Sequence, residues 1–154
     1  MSKTNAIRIL ETEKIPHTTH NYEVNDDLTG ITVAGKIGAD PDTVFKTLVA
    51  VGDKNGVFVF CLPVTAELNL KKAANVIGKK KLEMLKMKDL FSITGYVRGG
   101  CSPIGMKKKF PTFIDETARL FEKIFVSAGI RGTQVCLSPL DLQELIGAQF
   151  AEII

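Results

Sequence analysis

The stretch FKTLVAVGDKNGVFVFCLPV, residues 45–64, decides the fold of this chain. Two runs rich in β-branched and aromatic residues are separated by DKNG, and this pattern predicts a β-hairpin. The first run, 45–52, is apolar without a helical period, as expected of a strand buried on both faces. The hairpin therefore predicts a β-sheet at the centre of the fold.

Lys46 lies inside that first strand, where an ammonium group is unexpected. Side chains alternate between the two faces of a strand, so Lys46 should share a face with Leu48 and Ala50, and Thr47 should lie on the other. A partly buried cation loses hydration and is normally found beside an anion, a carbonyl group or a cleft. Two interpretations remain open: Lys46 contacts a substrate, or it lies at the start of the strand with its ammonium group reaching solvent.

The remaining elements follow from apolar spacing, capping residues and β-rich runs. Helices are predicted over 3–13, 29–38, 69–78, 82–91 and 138–147. Strands outside the hairpin are predicted over 17–24, 79–83, 112–116, 122–129 and 133–139. Ser2 and Asn69 are the expected caps of the first and third helices. Irregular interleaving of helices and strands predicts an α/β (α+β) fold with a mixed sheet, in one domain spanning 1–154.

Composition excludes several classes of protein. No apolar run approaches the roughly 18 to 20 residues of a membrane helix, and the polar N-terminus does not resemble a signal peptide. We therefore expect a cytoplasmic protein with no membrane partner. The three cysteines, Cys61, Cys101 and Cys136, form no close pair, so neither a metal site nor a cofactor is predicted.

Two glycine-containing stretches are candidate walls of a site. TGYVRGGCSPIG, 94–105, contains exposed N–H groups that could bind an anion or a carbonyl oxygen, although an ordinary surface loop is the alternative. Cys101 in this loop would need His17 or His20 as a base to act as a nucleophile, and a structural cysteine is the commoner case. SAGIRGTQV, 127–135, predicts either a tight turn or a second pocket wall.

Lysines crowd two segments of a chain whose net charge is only +3. The two clusters consist of Lys71, Lys72, Lys79, Lys80, Lys81, Lys86 and Lys88, and of Lys107, Lys108 and Lys109. Such clusters can bind a polyanion. The alternative is a solvated face that keeps the protein in solution.

Five motifs in this order give the chain a resemblance to a known family. They are HTTHNYEV (17–24), FKTL (45–48), LNLKKAANVIGKKKLEM (68–84), TGYVRGGCSPIG (94–105) and IFVSAGIRG (124–132). Together they resemble the YbaK/EbsC family, which is related to the editing domain inserted in bacterial prolyl-tRNA synthetases. The resemblance implies a mixed, barrel-like β-sheet of about six strands with surrounding helices. It also implies a hydrolase that acts in trans on mischarged tRNA.

The resemblance also implies roles for individual residues. The family's key lysine matches Lys46, and its glycine-rich loop matches residues 99–105. Expected catalytic residues are Lys46, Gly100, Ser102 and Gly105. Expected substrate-binding residues are Tyr22, Thr47, Cys101, Pro103, Gly129, Gly132 and Gln134. Expected tRNA contacts are Lys71, Lys72, Lys79, Lys80, Lys81, Lys107, Lys108 and Lys109. Gln134 departs from the family pattern, because some relatives carry an acidic residue at that position.

YbaK-like proteins are Cys-tRNA(Pro) deacylases, so the resemblance implies aminoacyl-tRNA, chiefly tRNA(Pro), as the substrate, with prolyl-tRNA synthetase as a possible partner. Under the family's substrate-assisted mechanism, the cysteine thiol attacks its own ester. Three alternatives remain open. They are a non-catalytic aminoacyl-tRNA-binding module, a deacylase with another amino-acid preference, and an enzyme that uses Cys101 covalently on a small molecule.

Overall fold

The predicted hairpin forms the centre of the larger of two sheets. The computed structural model describes residues 3–154. Its elements are α1 (Asn5–Thr12), β1 (His17–Asn21), α2 (Gly30–Lys36), β2 (Phe45–Gly52), β3 (Val57–Pro63), α3 (Leu70–Ile77), β4 (Leu82–Met84), α4 (Leu90–Thr94), β5 (Thr112–Asp115), β6 (Ile124–Ser127), β7 (Thr133–Leu137), α5 (Pro139–Ile146) and β8 (Gln149–Ala151). No helix among these described residues is long and apolar enough to cross a membrane.

The two sheets confirm the expected mixed α/β architecture. The larger has the order β4-β2-β3-β5-β8, in which β2 is antiparallel to β3 and β4, while β5 is parallel to β3 and β8. The smaller has the order β1-β7-β6 and is antiparallel throughout. A single parallel bridge between Val44 and Phe125 links them within residues 3–154. Residues 3–154 thus contain eight strands in two bridged sheets, compared with about six strands in the barrel-like sheet that the resemblance implied.

Helix boundaries follow the predicted capping residues closely. The Asn69 side chain accepts a hydrogen bond from the backbone N–H of Lys72 at 3.0 Å, and α3 ends at Gly78 with φ of 71°. Ser138 caps α5, and Gly147 ends it with φ of 64°. A φ in this range favours glycine because a Cβ atom would be strained there.

Three predictions differ from the structure. Thr4 caps α1, and the predicted cap Ser2 lies outside the described residues. The segment 82–91 is not one helix, because residues 82–84 pair with 50–52 of β2, and helical structure begins only at Met87. The strand β8 was not predicted, since it has three residues and forms through remote pairing with β5.

Two apolar clusters pack on opposite faces of the hairpin. The first contains Phe45 and Cys61 together with residues of α1, α5 and the smaller sheet. The second contains Ala50 and Phe60, with Leu48 packed against it, and residues of α3 and β4. The predicted alternation along β2 is therefore confirmed, because Leu48 and Ala50 share one face and Phe45 lies on the other.

Asp115, at the end of β5, ties the C-terminal segment to the sheet. Its side chain is 1% exposed. One carboxylate oxygen accepts the N–H of Ile153 at 3.1 Å, and the other accepts the N–H and hydroxyl of Thr117 at 3.1 and 2.6 Å. This buried carboxylate is stabilised by hydrogen bonds rather than by an opposite charge.

Replacing Asp115 by alanine should lower the free energy of unfolding by about 3 kcal/mol, because three donors lose a buried acceptor. Urea unfolding followed by circular dichroism measures the change. The matched control is Asp53→Ala in the exposed hairpin turn, which should change stability by less than about 0.5 kcal/mol. Equal effects of the two variants would contradict this role for Asp115.

Candidate active site

The strand β2 is only partly paired along one edge. It pairs with β3 over 45–51, but its pairing with β4 covers 50–52 alone. The N–H of Val64 donates to the carbonyl of Val44, and the N–H of Leu85 donates to the carbonyl of Val49. Because hydrogen bonds in an antiparallel ladder alternate in direction, the backbone groups of Thr47 face the edge that β4 leaves open.

A cavity of about 570 Å³ lies along this open edge. Its lining comes from both faces of β2, so the cavity wraps around the strand. The other walls come from α2 and the loop before it, from the start of the glycine-rich loop, from the segment that follows β4, and from the smaller sheet. The lining includes Tyr22, Lys46, Thr47, Glu67, Met84, Met87, Leu90, Arg98, Gly99, Cys101, Ser127 and Gln134.

Lys46 is half-buried in the wall of this cavity. No residue among 3–154 forms a hydrogen bond or an ion pair with its ammonium group. Glu67 lines the same cavity but does not pair with it. Of the two interpretations open at the outset, the structure places Lys46 beside a cleft, where its charge is available to a ligand.

Gln134 contributes an unusual polar atom to the cavity. It lies on β7 between His20 of β1 and Ser127 of β6, and its side chain is 6% exposed. Its Oε1 atom is buried and has no hydrogen-bond partner within the described part of the chain. A buried acceptor without a donor costs about 1–3 kcal/mol, so the site is poised to accept a hydrogen bond from a ligand.

The glycine-rich loop is held against the turn between β6 and β7. Arg131 donates from Nε to the carbonyl of Arg98 at 2.7 Å. A Cβ atom on Gly100 would lie 3.0 Å from the backbone N of Arg131, so any larger residue would push the two backbone segments apart by a few tenths of an ångström. The two stretches predicted as candidate walls are therefore packed together, and each contributes residues to the cavity.

Several loop residues predicted for the site do not line the larger cavity. The N–H of Gly100 donates to Val97 at 3.0 Å, and the buried Ser102 accepts the N–H of Ile104 at 3.2 Å. Pro103 and Gly105 line a second cavity, of about 210 Å³. None of these predicted residues, Gly100, Ser102, Pro103 and Gly105, lines the larger cavity.

Arg98, Gly99 and Cys101 are the loop residues that line the larger cavity, and the backbone N–H groups of Gly99 and Cys101 are of particular interest. Their N–H groups have no acceptor within residues 3–154, whereas that of Gly100 is already bonded. Gly99 adopts φ of 83°, a conformation that glycine tolerates without strain. The N–H groups of Gly99 and Cys101 are therefore candidate donors to a ligand in the cavity.

Gly129 and Gly132 shape the turn without lining the cavity. Both have positive φ, of 99° and 95°. A Cβ atom on Gly129 would lie 2.9 Å from Cε1 of Tyr96, and one on Gly132 would lie 3.3 Å from the carbonyl oxygen of Tyr22. Gly129 thus lets the turn pack against Tyr96, and Gly132 lets it pack beside Tyr22, which does line the cavity.

Cys101 has the chemistry of a neutral thiol. Burial raises its pKa to about 12. His17 bonds through Nδ1 to the carbonyl of Ile15 at 2.7 Å, His20 contacts the hydroxyl of Thr18 at 2.8 Å, and neither histidine lines the cavity. Neither histidine that was considered as a base for Cys101 therefore lies in the cavity.

Iodoacetamide should alkylate Cys101 far more slowly than it alkylates free cysteine at pH 8, because the thiolate is the reactive form. The rate should rise with pH toward about 12, where burial has placed the pKa. Mass spectrometry of the labelled peptide measures the rate, and the protein unfolded in urea is the control. Rapid labelling of folded Cys101 at pH 8 would contradict this description of the site.

The lysine clusters occupy different environments. Lys72 pairs with Glu152 at 2.7 Å and donates to the carbonyl of Ile154 at 2.8 Å, so it stabilises the C-terminal segment. The ammonium group of Lys107 lies 5.3 Å from the ring centre of Phe91. Lys108 and Lys109 line the smaller cavity. The remaining predicted contacts, Lys71, Lys79, Lys80 and Lys81, are exposed.

Ser127 and Arg98 also line the cavity, although neither was predicted as a site residue. Both residues lie within sequence motifs named above, but the sequence does not show which way their side chains point. Met84 and Met87 were also missed, because the segment containing them was expected to be helical. Among the described residues, no group of three or more His, Cys, Asp or Glu side chains is arranged to hold a metal ion.

Comparison with known sequences gives three matches. The profile of a family described as aminoacyl-tRNA editing domain matches residues 29–145. EbsC of Enterococcus faecalis, described as a candidate Cys-tRNA(Pro)/Cys-tRNA(Cys) deacylase, is 49% identical over 152 residues, covering 98% of this chain and 93% of that protein. The uncharacterised protein YwhH of Bacillus subtilis is 26% identical over 111 residues, covering 72% of this chain and 70% of that protein.

Solved structures share the fold. One, described as a candidate trans-editing enzyme for prolyl-tRNA synthetase, has a TM-score of 0.83 at 24% identity, covering 99% of this chain and 98% of that chain. Another, of a hypothetical protein, has a TM-score of 0.89 at 19% identity, covering 97% of this chain and 99% of that chain. Identities this low establish the architecture alone.

Proposed function

Because this chain belongs to the aminoacyl-tRNA editing domain family, we propose that it acts in trans to remove cysteine wrongly joined to proline tRNA. The family predicted from the motifs is confirmed, and with it the class of enzyme, an aminoacyl-tRNA deacylase. The proposal concerns the amino acid, the tRNA and the mechanism. It is carried by a cavity that holds a half-buried lysine and a buried amide oxygen, neither with a partner among residues 3–154.

Lys46 is the residue to which we assign the ester end of the substrate. Its ammonium group can bind the ester carbonyl, a ribose hydroxyl or the terminal phosphate. A cation in a cleft that partly excludes water interacts more strongly with developing negative charge than the same cation in bulk water. The N–H groups of Gly99 and Cys101 are the candidate donors to the oxyanion that forms on the ester carbonyl.

The nucleophile in this proposal is the thiol of the substrate itself. The sulfur attacks the ester carbonyl, a C–S bond forms, the ester C–O bond breaks, and the thiol proton passes to the departing ribose oxygen. The product is a four-membered thiolactone, which water opens to give cysteine. An intramolecular nucleophile has a high effective concentration, so the protein needs only to orient the substrate and stabilise charge.

Gln134 is assigned to the amino group of the substrate. A protonated α-amino group is a strong donor, and Oε1 of Gln134 is a buried acceptor that lacks one. A neutral amide can hold this group without the ionic attraction that an acidic residue would add. We therefore expect Gln134 to orient the substrate and to leave the chemical step to Lys46 and the thiol.

Lys46→Ala should lower kcat/KM for release of cysteine from Cys-tRNA(Pro) by roughly 100-fold or more, comparable to the loss of one oxyanion donor. The reaction is followed as the loss of acid-precipitable radiolabelled cysteine over time. Lys123→Ala, at an exposed lysine that does not line the cavity, is the matched control and should retain full activity. Unchanged hydrolysis by Lys46→Ala would exclude this role for Lys46.

The amino-acid preference tests the mechanism separately. Wild-type protein should spare Ala-tRNA(Pro), which has no side-chain nucleophile. It should cleave Ser-tRNA(Pro) much more slowly than Cys-tRNA(Pro), because a hydroxyl is a weaker nucleophile than a thiol. Equal rates on cysteine and serine would exclude substrate assistance. A reaction abolished by Cys101→Ser but not by Lys46→Ala would instead indicate covalent catalysis by the protein.

Gln134→Leu should raise KM for Cys-tRNA(Pro) more than it lowers kcat, because it removes an acceptor while keeping a side chain of similar volume. Gln134→Glu keeps an acceptor at this position, so its KM should be close to that of the wild-type protein. Steady-state kinetics of the two variants makes the comparison. A Gln134→Leu variant with wild-type KM would show that Gln134 does not contact the substrate.

Binding of tRNA should weaken steeply with salt, since phosphate contacts release counterions. Replacing Lys79, Lys80 and Lys81 together by alanine should reduce the slope of affinity against salt, measured by filter binding. Lys72→Ala is the contrasting variant, because Lys72 is already paired with Glu152 and should affect stability more than the slope. If the triple variant has the same slope of affinity against salt as the wild-type protein, this surface does not bind tRNA.

The proposal also includes a partner. We propose that proline tRNA is selected by a complex of this protein with prolyl-tRNA synthetase.

A further inference from the structure

Three exposed apolar side chains lie beside the mouth of the larger cavity. Met84, Met87 and Phe91 are 42%, 57% and 59% exposed. Met84 and Met87 line the cavity, and Phe91 follows Leu90, which also lines it. These three residues, named here the apolar ledge, belong to one short segment that runs from the end of β4 into α4.

The fold explains why the apolar ledge is not part of the core. Leu82, two residues before Met84, is 8% exposed and belongs to the second apolar cluster. Beyond β4 the chain turns at Met87–Asp89 and leaves the sheet, so the following apolar side chains have no layer to cover them. An exposed group of large apolar residues at the rim of a cavity is a feature of binding sites.

Positive charge surrounds the apolar ledge. Lys86 and Lys88 are exposed and alternate with its residues along the chain. The ammonium group of Lys107 lies 5.3 Å from the ring centre of Phe91. The segment 79–91 contains five lysines and two acidic residues, Glu83 and Asp89. A ligand for this surface should therefore combine flat apolar faces with negative charge.

We propose that the apolar ledge binds the unpaired nucleotides at the 3′ end of tRNA. A base stacks on Phe91 and packs against the thioether of Met87, while the flanking lysines contact phosphates. The aminoacyl ester is attached to the last ribose, so a base held at the rim places the ester in the cavity with Lys46. This inference rests on the proposed function, because it concerns the same substrate.

The apolar ledge would contribute affinity without selecting a tRNA. Stacking on an aromatic ring is tolerant of sequence, because every base has a flat face. All tRNAs share the same unpaired 3′ end, so a contact with it cannot distinguish proline tRNA from others. The discrimination between tRNAs must then come from another surface or from a partner protein.

The test uses uncharged tRNA whose terminal adenine is replaced by 2-aminopurine, a base whose fluorescence falls when it stacks. Wild-type protein should quench the probe on binding. Phe91→Ala should abolish the quenching and weaken binding by roughly 5- to 100-fold, the range for loss of one stacking contact. Phe91→Trp should restore both. Leu120→Ala, at a leucine that is 78% exposed and does not line the cavity, is the control and should bind as wild type does.

The outcome is separable from that of the proposed function. The probe carries no ester, so a protein without hydrolytic activity can still quench its fluorescence. Conversely, a protein that hydrolyses Cys-tRNA(Pro) need not quench the probe. Absence of quenching by the wild-type protein, or equal quenching and affinity for Phe91→Ala, would overturn the inference. Equal RNA binding together with loss of a protein complex in Phe91→Ala would assign the apolar ledge to a protein partner. Thermal unfolding of each variant confirms that folding is retained.

Discussion

The unequal pairing of β2 along its two edges is the constraint on which the site depends. One edge is joined to β3 along nearly the whole strand, and the other is joined to β4 only at residues 50–52. A longer β4 would bond to the backbone of Thr47 and fill the space that the cavity occupies. Because β4 ends at Met84, Lys46 and Thr47 stand at an open edge, and the chain beyond Met84 leaves the sheet to form the rim.

A close backbone contact holds the opposite wall in place. Gly100 packs against the backbone of Ile130 and Arg131, and Arg131 donates to the carbonyl of Arg98. The N–H of Gly100 is bonded separately, to the carbonyl of Val97 within the loop, and those of Gly99 and Cys101 have no acceptor within residues 3–154. One glycine thus positions the glycine-rich loop against the turn, and the neighbouring residues Gly99 and Cys101 line the cavity.

The electrostatics of the cavity suit a reaction without a protein nucleophile. Burial holds the Cys101 thiol neutral, with a pKa raised to about 12, and the same effect acts on Cys61 behind Thr47. The polar groups of its lining include the ammonium group of Lys46 and the buried acceptor of Gln134, neither of which has a partner among residues 3–154. Such a site can bind a polar ester and stabilise negative charge on it, which is what a substrate that carries its own thiol requires.

By itself, the sequence determined the hairpin, the ends of α3 and α5, the mixed class of fold and the family. These depend on patterns within a few tens of residues: alternation along a strand, an asparagine or serine cap, a glycine with positive φ. The motifs also marked Lys46 and Gln134 as site residues. Only the tertiary structure decided that β8 exists, that β4 stops at Met84, and that Gly99 and Cys101 rather than Gly100 present free N–H groups. The first two depend on pairing between strands far apart in the chain. The third depends on a bond from Gly100 to Val97 in an irregular loop, and local residue patterns do not encode which backbone groups will already be bonded.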